Sequence, residues 1–233
     1  MIWGEQPVIV MGHGIRAAGG AADALLQIGI QVLSSWQAID LVDNWHPMYF
    51  GRPGIYGQRC ANRVLYEADQ VISIGCRLTP WMIGHSGLRP EQRLVMVDVD
   101  GGEAARFPKA DWVRMDAKEF IESIRNERAR RVEWLDQCNV WKVASQWIES
   151  PTHDDTNGYI NSYRFIERLE PLLRPNEIIV TDVGAHMCSV FQALHVKPPQ
   201  RLLTSGGLGE MGCGLPAAIG ASMRTRPPST THG

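Results

Sequence analysis

"PVIVMGHGIRA", residues 7–17, decides the fold. Its apolar run has no polar face to offer water, so the strand over 7–12 must be covered on both sides. The glycines of "GHG" then turn the chain sharply, and "AADALLQIG" (21–29) carries the small and apolar residues of a following helix. Working outward, the same grammar repeats. "QVLSS" (31–35), "QVISIG" (70–75) and "RLVMVDVD" (93–100) are further apolar strands. "RCANRVLYEAD" (59–69) is helical, with Ala61, Val64, Leu65 and Ala68 at i, i+3, i+4 and i+7. Apolar strands alternating with helices predict an α/β fold with a parallel sheet. Right-handed crossovers make it doubly wound and Rossmann-like, with about six strands. Its strands should include 7–11, 31–34, 70–74 and 93–98.

Composition narrows the function classes. Of 233 residues, 44% are hydrophobic and 21% charged, the balance of a globular chain. A net charge of −2 gives no basis for nucleic-acid or anionic-membrane binding. Cys60, Cys76, Cys138, Cys188 and Cys213 are odd in number, scattered and free of C-x-x-C spacing, which fits a reducing compartment. The N-terminus lacks signal-peptide character, and no run is long enough to span a bilayer. The expectation is a soluble cytoplasmic protein.

From Lys118 to about Ser150 the pattern turns helical and charged, and Trp134, Trp141 and Trp147 read as one packing face. "SPTHDDTNG" (150–158) has the chemistry of a polar linker. A second α/β unit follows, with a helix over 161–173, a buried strand over 177–184, a helix over 185–194, a strand-like run over 200–207 and a helix over 214–222. The expected division is a central Rossmann-like domain at 1–128, a helical linker at 129–157 and an incomplete second α/β domain at 158–233.

Four motifs could carry chemistry. "GHGIRA" (12–17) has the spacing of a dinucleotide fingerprint, but no acid follows the second strand until Asp40 to hold a ribose. "DVDGG" (98–102) could be an acidic metal loop, but a strand end whose carboxylates cap the next helix is the favoured reading. "DVGAHM" (182–187) and "GGLGEMG" (206–212) each end a parallel strand and open a helix, where free N–H groups suit phosphate oxygens. Two such turns on adjacent strands favour a diphosphate ligand.

Taken in order, "PVIVMGHGI", "SSWQAIDLVDNWHPMYFGRPGIYGQRCAN", "ADQVISIGCRL", "VDVD", "IIVTDVGAHM" and "TSGGLGEMGCGLPAAIGA" resemble the thiamine-diphosphate-dependent enzymes, most closely the acetolactate synthase group. The resemblance spans residues 7–222 and covers a central domain plus the start of a diphosphate-binding domain. It implies that Gly184, Ala185 and His186 hold diphosphate oxygens and that Gly207 and Leu208 lie in the cofactor turn. It implies further that the Gly209 carbonyl accepts from the pyrimidine amino group and that Met211 wedges the cofactor into a bent form. Gly12, Gly14 and Arg77 become candidates for FAD, with Trp81 standing where the family carries a second arginine.

The implied activity is decarboxylation of a small 2-oxo acid followed by carboligation, using thiamine diphosphate and Mg²⁺ in a homo-oligomeric enzyme. The activating glutamate and the Gly-Asp-Gly…Asn that holds Mg²⁺ are not found in this sequence, and "SMRTRPPSTTHG" (222–233) stands where an apolar strand would follow. The chain is therefore expected to be a fragment, inactive on its own. A non-catalytic FAD-binding module and an inert truncated product are the rival readings.

Overall fold

The computed structural model describes residues 3–148 and 152–225. Part of the expected linker (149–151), residues 1 and 2 and the tail from 226 onward lie outside the described residues. Six strands, β1 (Pro7–Met11), β2 (Gln31–Ser34), β3 (Tyr49–Gly51), β4 (Gln70–Ile74), β5 (Arg93–Val97) and β6 (Asp111–Val113), form one sheet in the order β3-β2-β1-β4-β5-β6. All five pairings are parallel, and Ile9 at the centre of β1 faces Val32 on one side and Ile72 on the other. The strand order reverses between β1 and β4. A crevice opens there at the carboxyl ends of the strands.

Seven helices accompany this sheet: α1 (Gly14–Ala17), α2 (Asp23–Leu26), α3 (Arg59–Glu67), α4 (Pro80–Ile83), α5 (Gly101–Ala105), α6 (Ala117–Ile124) and α7 (Val132–Ala144). The pleat of the strands sorts their side chains. Ile9, Met11, Ile72, Ile74 and Val97 pack with Ile15, Leu25, Phe120 and Ile121 on one face. Val8, Val10, Val71 and Leu94 pack with Ala61, Val64, Trp134 and Leu135 on the other. Alternate residues of one strand thus feed two separate cores, as a doubly wound sheet requires.

Some local expectations change. The helix foreseen over 21–29 shrinks to α2, because Gly29 at its end adopts φ +90° and breaks the run. β3 and β6 are three-residue edge strands, too short to announce themselves as apolar runs. The helical stretch after Lys118 is broken between α6 and α7. Trp134 is buried in the second core and its indole N–H donates to Pro7 O at 3.1 Å, with Trp141 edge-on against it. Trp147 lies beyond the end of α7 and stacks on His195 instead of sharing their face.

The second unit contains α8 (Ser162–Leu169), a 3-10 turn at Glu170–Leu172, β7 (Ile178–Val180), α9 (Ala185–Ala193), β8 (Arg201–Leu203) and α10 (Gly214–Thr225). β7 and β8 form a two-stranded parallel sheet, Ile179 opposite Leu202. The buried strand expected over 177–184 is only half-buried and three residues long, since it has a single strand neighbour.

This small sheet is bolted to the large one. Asp40, in the 3-10 segment after β2, is buried and pairs with Arg16 of α1. Its other oxygen accepts from Arg201 Nε at 2.9 Å and from Leu202 N–H at 3.0 Å in β8. Fully buried Arg52 donates to Asn44 Oδ1 at 2.8 Å and to Leu194 O at 3.1 Å. Asn44 Oδ1 also accepts from Val196 N–H at 3.1 Å.

Candidate functional site

Where the two units meet, a cavity of about 800 Å³ opens, within the size range of small-molecule sites. One wall is aromatic and comes from the first unit: Trp36, Tyr56 and Trp81. Trp36 stacks on Phe191 of α9 at 4.7 Å, and Tyr56 lies nearly parallel to Trp81 at 6.2 Å. The opposite wall is the start of α9, with Gly184 and Ala185, and the floor is the turn Gly206–Gly209 after β8.

Gly184 is the N-cap of α9, no side chain caps the helix, and its first turn holds no acidic residue. An uncapped helix start presents several backbone N–H groups and the positive end of the helix dipole. Such a start, aimed into a cavity with a flat apolar wall, suits a ligand that joins an anionic phosphate end to a ring. The residues present therefore fit thiamine diphosphate. Asp182, just before this turn, holds the geometry. Its carboxylate accepts from Val183 N–H at 2.7 Å, Gly212 N–H at 2.9 Å and Gly214 N–H at 3.1 Å, tying the turn to the start of α10. Those N–H donors, Val183 first and then Gly214 and Gly212, hold its carboxyl below the usual range.

Of the expected cofactor residues, the structure brings Gly184, Ala185, Gly207, Leu208 and Gly209 together around the cavity. His186 is exposed, its ring folded back toward Gly184, and it does not line the cavity. Met211 is 83% exposed and also stands outside the lining. Among the described residues no Asp, Glu, His, Lys or Arg lines the cavity. Its titratable neighbours are Tyr56, Tyr163 and Cys188, and burial raises the last two above their ordinary values. Among the described residues no group of three or more His, Cys, Asp or Glu side chains could hold a metal ion.

A second cavity, about 440 Å³, occupies the crevice at the carboxyl ends of the central strands. It shares Trp36, Trp81, Gly206 and Gly207 with the first. Gly14 and Arg77 line it and Gly12 does not. Gly12 is instead a packing glycine, where an added Cβ would sit 2.1 Å from Gly75 O. Gly75 itself has φ +54°, and its own Cβ would come 2.8 Å from Gly14 Cα, so the two turns touch backbone to backbone. Arg77 is paired with Glu103 at 3.1 Å. Asp100 caps α5 by accepting from Gly102 N–H at 2.8 Å, the capping favoured for "DVDGG". These residues do not fit FAD. With its amide oxygen turned to the loop, Gln37 accepts from Gly206 N–H at 3.0 Å and Gly207 N–H at 3.2 Å.

Sequence reasoning missed the aromatic wall and the fastening residues Gln37, Asn44 and Arg52. Their partners lie more than 140 positions away in most cases, as for Arg52 and Leu194, so no local pattern marks them. An Arg set between glycines and a proline in "GRPG" was the one available signal.

Comparison with known proteins bears on both units. Residues 4–124 match the family described as "Thiamine pyrophosphate enzyme, central domain", and residues 182–232 match "Thiamine pyrophosphate enzyme, C-terminal TPP binding domain". The chain is 31% identical to a probable acetolactate synthase large subunit of Methanocaldococcus jannaschii, over 94% of this chain and 39% of that protein. It is 29% identical to the acetolactate synthase large subunit of Lactococcus lactis and 30% identical to acetolactate synthase isozyme 1 large subunit of Escherichia coli, with the same coverage. It thus spans 39% of the length of these relatives.

Proposed function

The chain belongs to the thiamine pyrophosphate (thiamine diphosphate) enzymes, and we propose that it supplies the diphosphate cradle of an acetolactate-synthase-like carboligase acting on small 2-oxo acids. The observation that carries this reading is the uncapped start of α9 facing the aromatic wall across the interdomain cavity. Ala185 and the residues of its turn bind the phosphate end. The Gly207–Gly209 turn sets the depth of the ring, with the Gly209 carbonyl as acceptor for a ring amino group. His186 and Met211 are assigned to the rim. Bound there, thiamine diphosphate would supply an electron sink for decarboxylation of a 2-oxo acid. Trp36, Tyr56 and Trp81 exclude water from that charge.

The same cavity explains why the 233-residue chain is proposed to be inactive alone. Among the described residues no carboxylate or imidazole lines it, so its wall lacks the acid that would activate the ring. A positioned acid or base typically contributes about 10²–10⁴-fold. In the working enzyme, that acid and the Mg²⁺ ligands come from other parts of the assembly, in keeping with a homo-oligomer.

Two measurements on the purified chain test this. Hydrogen exchange with millimolar thiamine diphosphate and Mg²⁺ should slow Ala185, His186 and the 207–209 turn. No slowing there would remove the cradle. Calorimetry and a CO₂-release assay on pyruvate should show binding weaker than micromolar and no turnover. Steady turnover would refute inactivity while leaving the cradle standing.

A further inference from the structure

We infer that the crevice at the carboxyl ends of the central strands excludes FAD and other diphosphate-bearing dinucleotides, because the chain has already spent the groups such a ligand needs. A dinucleotide fold of this strand order places the diphosphate against the glycine turn after β1, using its N–H donors and close backbone approach. Here Gly12 N–H donates to Ile74 O at 2.9 Å and Gly14 N–H to Gly75 O at 2.9 Å. Ile15 N–H and Arg16 N–H turn back to Gly12 O and His13 O. The room that glycine normally leaves for a ligand is filled by Gly75 and Cys76.

The other half of the recognition is consumed as well. The end of β2 carries Ser34 and Ser35 in place of an acid for a ribose, and Gln37 beyond it holds Gly206 and Gly207 through its amide. The next acid, Asp40, is buried between Arg16 and Arg201. The one arginine lining the crevice, Arg77, pairs with Glu103, which Arg106 also engages, and Asp98 and Asp100 add negative charge to the same wall. A diphosphate entering here meets the carboxylates of Asp98 and Asp100 and a turn whose Gly12, Gly14, Ile15 and Arg16 N–H groups are already bonded. What the crevice does instead is anchor the 206–207 loop, and so shape the floor of the neighbouring cavity.

Titration of FAD, and separately ADP, into the full chain tests this by FAD anisotropy and by quenching of tryptophan emission, to which Trp36 and Trp81 contribute. Neither should saturate below about 1 mM, and the chain purified from flavin-replete cells should carry no flavin absorbance. A micromolar dissociation constant for either ligand, or co-purified flavin, would overturn the inference. A doubly substituted chain, Trp81→Arg with Glu103→Gln, separates charge from backbone. It should still fail to bind, because the glycine turn remains bonded to itself. Micromolar FAD binding by that variant, folded by circular dichroism, would show that the backbone is not the barrier.

Discussion

β4 and β7 have similar compositions, "QVISI" and "IIV", but different fates. Every residue of β4 is buried between two strands and two helical layers, whereas every residue of β7 is half-buried with one strand beside it. A strand is as buried as its neighbours make it. A two-stranded sheet is at best marginal in isolation, and the second unit draws its order from the first. Ile39, from the segment after β2, completes the small core formed by Ile166, Phe191, Leu194 and Leu202.

The sharpest way to break this comparison is to cut the fastening. Asp40→Ala leaves Arg16 and Arg201 without their shared carboxylate and frees Leu202 N–H. Removing one partner of a buried ion pair costs about 3–5 kcal/mol. The low end applies, since Arg201 keeps 41% of its side chain in water. Limited proteolysis should then cut within 160–225 while the central sheet stays resistant. Equal loss in both units would mean that they fold as one body.

A smaller change should read the two strands against each other. Ile72→Val removes a methylene from a fully buried site in β4 and should cost about 0.5–1.5 kcal/mol in urea unfolding. Ile179→Val makes the same deletion at the half-buried site in β7 and should cost less than half as much. Equal costs would erase the distinction.

How much of this was legible in the sequence follows the same divide. β1, β4 and β5 were readable because each is an unbroken apolar run whose burial needs no knowledge of partners. The turns at Gly184 and Gly207–Gly209 were readable because glycine at a strand end is itself a geometric statement. Asp40, Asn44 and Arg52 were not readable as fasteners, since a polar residue announces nothing about a partner more than 100 positions away. The "GHG" turn misled in part for the same reason. Its spacing is that of a ligand turn, but Gly75, which fills it, lies in the bend after another strand, β4.

The finest probe of the junction is pH. His195 sits between Trp45 and Trp147, with ring centroids 3.7 and 3.8 Å away, and its Nδ1 lies 3.0 Å from Glu170 Oε2. Burial lowers its pKa below 6.5, opposed by Glu170 and aided by the positive charges of Arg52 and Lys142. A histidine held neutral in the fold and freely protonated in the unfolded chain makes stability rise with pH. Its contribution is fully present above about 6.5 and is lost as pH falls toward the lowered folded value. The groups that face it are accounted for: Glu170 from the 3-10 turn, Arg52 after β3 and Lys142 from α7. Acid should therefore loosen the second unit before the central sheet, since no histidine is among the buried polar groups of the described residues. Hydrogen exchange of α8 and α9 at pH 5.5 and pH 7.5, compared with β1 and β4, checks the order of opening. His195→Gln keeps a neutral hydrogen-bonding side chain and should flatten the difference. An unchanged pH slope in that variant would assign the acid sensitivity to another group.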